Sequence, residues 1–281
     1  MSVSLAPGPV TRRTVLKTLA ASGAGALTGV GAYGYFYGRQ ALGVVRATLP
    51  VSGLADALVG CRIGLLSDLH RSRVVTHELA QSAVRLLMEE RPDVIVLGGD
   101  YVTWGDRRFV EPAAEALAPL TAPHGVFAVL GNHDDDRDMP LALEKRGFTV
   151  LKDARTRVEI RGETLELAGI RFWTRRTEEI ARVLRGVTGT VVLLAHDPRR
   201  LEGAAALDVP LVLSGHTHGG QIVVPGAGAL AARAFPVVAG MARRENTTIF
   251  VSRGVGTVYV PVRFNCPPEV NVLTLEKRGA I

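Results

Sequence analysis

Apolar runs and their spacing divide the chain from residue 62 onward into alternating strand and helix signals. Arg62 to Ser67 is a short aliphatic run that stops at Asp68 and reads as a strand. Val74 to Glu90 carries Leu79, Ala83, Leu86 and Leu87 at helical spacing and ends before Pro92. Val94-Ile95-Val96-Leu97 is apolar throughout, the pattern of a strand covered on both faces. A helix through Ala113–Leu120, a strand over Val126–Leu130 and a short helix over Leu141–Arg146, closed by Gly147, follow. Residues 148–170 change period. Val158, Ile160, Leu165 and Leu167 alternate around Gly162, which predicts a β-hairpin. Ile180–Leu184 returns to helical spacing, and Val191–Leu194 and Val209–Leu213 are buried-strand runs. The last third is β in character, with strands expected at Ile222–Val224, Thr248–Ser252 and Val270–Leu275. This order predicts an α/β fold of two packed sheets flanked by helices. No internal repeat is present.

The N-terminal segment has a different pattern. Thr11-Arg12-Arg13-Thr14-Val15-Leu16-Lys17 precedes an uncharged stretch from Thr18 to Gly38 rich in Ala, Gly and aromatic residues. It resembles a twin-arginine export signal, with Val15 in place of the more usual Phe. An N-terminal transmembrane anchor is the competing reading, since about 20 residues just span a bilayer. No clean A-x-A site follows, so the segment is expected to stay and tether the protein. The expected organisation is a signal or anchor over 1–38, a linker and edge segment over 39–60, and one catalytic domain over 61–281. The expected partners are the twin-arginine translocase and the membrane, and the expected location is outside the cytoplasm.

Charge sharpens that division. The chain carries a formal +6, and residues 1–55 hold Arg12, Arg13, Lys17, Arg39 and Arg46 with no acidic residue. That segment therefore supplies +5 and leaves the body near +1. A near-neutral body argues against a long nucleic-acid track. The two cysteines, Cys61 and Cys266, form no zinc pattern and read as separate, partly buried thiols.

Chemistry concentrates in five ordered segments: Asp68-Leu69-His70, Gly99-Asp100, Gly131-Asn132-His133-Asp134, Ala195-His196-Asp197 and Gly215-His216-Thr217-His218. Five of the seven histidines lie in them. Each segment ends an aliphatic run, and so sits in a loop at the C-terminal end of a strand, where α/β sheets place their chemistry. Two Asp, one Asn and several His converging there make an O/N metal site with too many ligands for one ion and enough for two. Without a thiolate, the donor set suits Mn, Fe, Zn or Co. His77 and His124 read as structural. Asp134 and Asp197 compete with plain helix caps. Arg71 and Arg73 read as surface residues, and Gly219-Gly220-Gln221 as the turn that shapes the pocket floor.

The series D-x-H, G-D, G-N-H-D, H and G-H-x-H resembles the calcineurin-like metallophosphoesterase superfamily over Arg62 to about Gln221. The resemblance implies a four-layer α-β-β-α sandwich of two mixed sheets. It implies that Asp68, His70 and His218 bind one metal, that Asn132, His196 and His216 bind a second, and that Asp100 bridges them. It implies that His133 reaches the substrate phosphoryl group and that Asp134 orients His133. Two divalent ions about 3.5–4 Å apart hold a bridging hydroxide fit for in-line attack on phosphorus. With two ligand carboxylates the site stays cationic and attracts anionic esters.

The expected activity is hydrolysis of phosphoesters, with phosphodiesters of the cell envelope favoured, such as a lipid head group or a cell-wall diester. The alternatives are a UDP-diacylglucosamine-type pyrophosphohydrolase and a phosphomonoesterase. The first predicts an apolar channel beside the metals, with Leu230, Phe235, Val237 and Val238 as lining. The C-terminal run through Arg253, Arg263 and the prolines reads as a turn-rich path, or as a way to bring an arginine to the pocket.

Overall fold

A computed structural model describes residues 11–279. Its strands form two six-stranded sheets. In the first, β1 (Gly43–Val51), β12 (Glu269–Lys277), β2 (Arg62–Leu66), β3 (Val94–Leu97), β4 (Val126–Ala128) and β5 (Thr149–Val150) lie in that order. In the second the order is β10 (Gly240–Arg244), β11 (Thr247–Val251), β9 (Leu211–Ser214), β8 (Thr190–Leu194), β7 (Glu163–Gly169) and β6 (Ala154–Ile160). Strands β2, β3 and β4 run parallel, as do β7, β8 and β9, while β2–β12, β6–β7 and β10–β11 are antiparallel.

Alternation along the strands builds the layers. Val94 and Val96 face the core between the sheets, with Ile63, Leu65, Leu167, Val192 and Leu213. Ile95 and Leu97 face the other way, onto α2 (His77–Glu89), α3 (Val110–Leu117) and α4 (Asp138–Glu144). Leu193 and Val212 face Ile180 of α5 (Thr177–Val183) and Leu201 and Ala204 of α6 (Leu201–Ala205). The result is the expected α-β-β-α sandwich of two mixed sheets.

One local expectation is corrected. Ile222–Val224 is not a strand. Pro225-Gly226 turns the backbone so that Val224 pairs with Gly228, and Ile222 makes a single bridge to Phe264. The edge segment expected within 39–60 is there as a full edge strand: β1 lies parallel to β12 from Gly43↔Glu269 to Val51↔Lys277. Its Pro50 is tolerated because β1 is an edge strand. Strand β10 carries Arg243 and Arg244 on an exposed edge and offers no apolar alternation to detect.

The N-terminal helix α1 (Arg12–Phe36) starts at Thr11, whose side chain accepts from the Thr14 N–H. The first ten residues of the expected signal lie outside the described residues. Among the described residues, no helix is long and apolar enough to cross a membrane. Cys61 and Cys266 are both buried and unpaired.

Candidate metal centre

The chain leaves its parallel strands by sharp left-handed turns. Asp68 (φ 52°), His70 (φ 49°), Asp100 (φ 56°), His216 (φ 72°) and His218 (φ 52°) all occupy this region. Each such turn costs about 1–2 kcal/mol for a residue with a Cβ, so the surrounding sheets must impose it. Gly131 and Gly215 make the crowding possible. A Cβ on Gly131 would overlap Asp100 Oδ1, and one on Gly215 would overlap Ser67 Oγ and Asp68 Oδ2.

These turns gather two ligand groups. The donor atoms of Asp68, His70 and His218 lie within 4.8 Å of one another, and so do those of Asp100, His196 and His216. His70 Nε2 and His218 Nε2 are 3.0 Å apart. Asp100 Oδ2 stands 3.5 Å from His70 Nε2 and 3.1 Å from His196 Nε2, and so lies between the groups.

The residues fit divalent cations by a direct test. Asn132 Oδ1 and His196 Nε2 are buried polar atoms with no hydrogen-bond partner among the described residues, which is costly unless something else satisfies them. His196 Nδ1 donates to the Gly98 carbonyl at 2.7 Å, which leaves Nε2 as a lone pair for a metal. Nε2 stands 3.1 Å from Asp100 Oδ2 without hydrogen-bond alignment, so the two atoms are placed to share a cation once the ring is neutral. Asn132 also lines the same cavity as Asp100, His216 and His218.

Burial keeps three of the four histidines in these groups neutral. Burial lowers His70 to about 3 and His216 to about 4, and it lowers His218 well below its ordinary value. Neutral imidazoles are the form that binds metal. Burial raises Asp68 to about 6 against the opposing pull of His196. For His196, burial disfavours the charged ring, but Asp100 and then Asp68 outweigh it and raise it to about 10. In the metal-free protein that ring carries the compensating positive charge.

His133 lies beside the groups without joining either. Its Nδ1 accepts the Trp104 backbone N–H at 3.0 Å, and burial lowers its pKa. The neutral ring therefore carries its proton on Nε2. Asp134 does not orient it. The Asp134 carboxylate accepts the N–H groups of Asp100 (2.7 Å), Tyr101 (2.7 Å), Val102 (3.3 Å) and Gly131 (2.9 Å). It clamps the loop bearing Asp100 to the loop bearing Asn132. The physical reason is that adjacent side chains diverge while four converging amides demand an acceptor.

Sequence reasoning missed Ser67, Tyr101 and Trp104. Ser67 Oγ donates to Asp68 Oδ2 at 2.6 Å. The buried Tyr101 hydroxyl donates to the Val129 carbonyl at 2.8 Å and ties the ends of β3 and β4 together. Ser67 and Tyr101 were legible only as neighbours of Asp68 and Asp100, and nothing marks the Trp104 N–H. Asp197 is a cap, accepting from the Arg199 N–H at 3.0 Å. Arg71 turns away from the metals to the Val75 carbonyl, and Arg73 is exposed. Arg253 pairs with Glu269. Arg263 is fully buried and donates to the carbonyls of Gly256, Arg253 and Cys266. It knits the C-terminal loop beneath His218 rather than facing the pocket.

The cavity over the metal groups measures about 430 Å³ and has an apolar wall of Ile222, Leu230, Phe235, Val258 and Val260. Leu230 and Phe235 are where the apolar-channel reading expects them. Val237 and Val238 are not part of the lining. Gly220 and Gln221 do form part of it.

The sequence profile of the calcineurin-like phosphoesterase family matches residues 61–220. The uncharacterized metallophosphoesterase YkuE of Bacillus subtilis is 31% identical over 284 residues, covering 95% of this chain and 98% of that protein. The phosphodiesterase YaeI of Escherichia coli is 35% identical over 230 residues, covering 76% of this chain and 82% of that protein. A transmembrane protein with metallophosphoesterase domain from Danio rerio is 32% identical over 268 residues, covering 87% of this chain and 60% of that protein. The profile match and the extent of these likenesses establish that the chain belongs to the calcineurin-like phosphoesterase family and is a hydrolase acting on phosphoester bonds.

Proposed function

We propose that this chain is an exported, membrane-tethered phosphodiesterase that cleaves diesters of the cell envelope. Asp68, His70 and His218 would hold one divalent cation and Asn132, His196 and His216 a second, with Asp100 shared. When bound, the pair supplies an activated water and neutralises charge on the phosphoryl oxygens. The chain's own residues do the rest. His133 presents Nε2–H for the leaving oxygen, and the Trp104 N–H holds its tautomer. Asp134 keeps the Asp100 and Asn132 loops in register.

One observation carries the choice of a diester. Among the described residues, no Lys or Arg lines the cavity, and one wall is apolar. A monoester dianion would lack the extra cation it needs, whereas a diester has one charge and a second substituent to place against that wall. The relative YaeI is named a phosphodiesterase. The same wall favours a second reading, an amphiphilic substrate of the UDP-diacylglucosamine type cleaved at its pyrophosphate.

Export rests on Arg12-Arg13 and the Ala/Gly-rich stretch after them, and tethering also on the relative in Danio rerio that is named a transmembrane protein. Replacing both arginines with lysine and following the protein by cell fractionation tests it. Retention in the cytoplasm supports the twin-arginine route, and unchanged export refutes it.

The activity is tested with bis(4-nitrophenyl) phosphate and 4-nitrophenyl phosphate, added Mn²⁺, and Asp100→Asn alongside. Diester hydrolysis that exceeds monoester hydrolysis and disappears in the variant is expected. Monoester preference moves the reading to a phosphatase, and undiminished hydrolysis by Asp100→Asn overturns the shared-carboxylate assignment.

A further inference from the structure

We infer that the rim of the metal cavity is a bilayer-contacting surface, so that the cavity opens onto the headgroup layer of an anionic membrane. The inference rests on the reading of that cavity as the substrate site, which the soluble-diester assay tests separately.

The first observation is where exposed apolar side chains gather. Tyr259 (76% exposed), Val260 (47%) and Leu230 (50%) line the metal cavity, and Trp104 (66%) lines the adjoining groove, which shares Tyr259 and Val260 with it. Trp104 and Tyr259 pack edge to face with centroids 5.2 Å apart, and Trp104 reaches His133 at 4.5 Å. Val59, Leu141 and Met241 are single exposed residues elsewhere, and Trp173 is covered on one face by Arg175 at 5.2 Å. Single exposed residues are ordinary, but a cluster around an opening marks a contact surface. Aromatic rings with one wet edge are also what membrane interfaces select.

The second observation is that the rim is held rather than left free. Gln221 fixes it from below: its Oε1 accepts the Val258 N–H at 2.6 Å, and its Nε2 donates to the carbonyls of Val258 and Val260 at 3.0 and 3.1 Å. Trp104 (φ 56°) and Tyr259 (φ 60°) are both in the left-handed region, which is unfavourable for bulky side chains. The fold thus spends conformational energy to point two large rings outward.

The third observation is continuity with α1. The end of α1 seats on the residues that follow the rim. A Cβ on Gly34 or Gly38 would overlap the Val262–Arg263 segment, the Arg263 N–H donates to the Gly34 carbonyl at 3.2 Å, and Tyr33 meets Phe264 at 6.3 Å. Helix α1 therefore joins the body beside Val260. It exposes Leu16, Leu19, Leu27 and Phe36, and it carries Arg12, Arg13 and Lys17 without an acidic residue. Apolar side chains suit hydrocarbon and the cations suit anionic headgroups, so charge complementarity selects an anionic bilayer as the occupant.

The test uses the full chain with Trp173→Phe, which leaves Trp104 as the only tryptophan. The protein is mixed with phosphatidylglycerol vesicles containing lipids brominated on the acyl chains, and binding is followed by co-sedimentation. Quenching of Trp104 on binding is expected. The double variant Tyr259→Ser, Val260→Ser should lose at least about tenfold in vesicle affinity, equivalent to about 1.4 kcal/mol of insertion, with its thermal midpoint unchanged. A protein that sediments with vesicles while Trp104 stays unquenched is held by α1 with its cavity turned away, which overturns the inference. Failure to bind the vesicles overturns it as well, whatever the diesterase assay shows.

Discussion

Replacing Asp134 with Asn separates two accounts of that residue. The carboxylate accepts Asp100 and Gly131 on Oδ2 and Tyr101 and Val102 on Oδ1. An Asn has one oxygen and one NH2, so whichever way it turns, two backbone amides face a donor. Burial and then Asp100 raise the Asp134 carboxyl to about 7 against the pull of these amides, so above that pH the acceptor is charged. Hydrogen bonds to a charged acceptor contribute about 1.5–3 kcal/mol each, which gives about 3–6 kcal/mol for the two lost. That is a large share of the roughly 5–15 kcal/mol that holds a typical protein folded, and it falls on the loops that carry Asp100 and Asn132. Urea unfolding and metal content after desalting are the assays. The expected outcome is a lower unfolding midpoint together with metal lost from the protein. His133→Ala should instead reduce turnover while leaving stability and metal content nearly intact. If Asp134→Asn lowers only turnover, with the unfolding midpoint and metal content unchanged, the clamp is refuted and an orienting role toward His133 is restored.

Metal loading should release a proton. With His196 raised to about 10 from its ordinary 6.5, its contribution to metal-free stability is full below about 6.5 and is lost as pH rises through 10. Cation binding must displace that proton, so affinity should weaken as pH falls. Calorimetry in buffers of different ionisation enthalpy should find about one proton released per chain from this ring at pH 7, and no release would refute the assignment. Gly215→Ala should drive the added methyl group into Ser67 and Asp68 and cost the Asp68–His70–His218 group its metal, whereas Gly43→Ala, which meets open space, should keep both ions by elemental analysis. Burial, reinforced by Asp93, raises the Cys61 thiol to about 12, and burial raises Cys266. Neither should react with a thiol reagent at pH 8 until the protein is denatured, and one native reactive thiol would contradict this. Above the ordinary thiol value of 9.0 the unfolded chain ionises first, so Cys61's contribution to stability falls as pH rises further.

What could be read from the sequence follows from physical cause. The ligand segments stand out because two demands select the same residue types. Metal binding asks for Asp, His and Asn, and a left-handed turn out of a strand favours Asp, Asn, His and Gly over other residues. Asp68, His70, Asp100, His216 and His218 meet both demands at once, and Gly131 and Gly215 supply the space beside them. The sheets were legible for a similar reason, since Val94–Leu97 must be apolar on both faces to lie between a helix layer and a second sheet.

What could not be read depends on partners distant in the chain. The place of β1 is decided by its pairing with β12, more than two hundred residues away, and no local pattern encodes it. Asp134 looks like a companion of His133 because they are neighbours in sequence, yet its partners are amides whose positions exist only after the Asp100 turn has formed. Arg263 looks like a pocket arginine because the chain around it is all turns, yet those turns point their carbonyls inward and make the interior hospitable to a guanidinium. Residues that carry chemistry are chosen by type and leave a local trace. Residues that hold the chemistry in place are chosen by where the backbone groups of other segments end up, and for those the fold has to be seen.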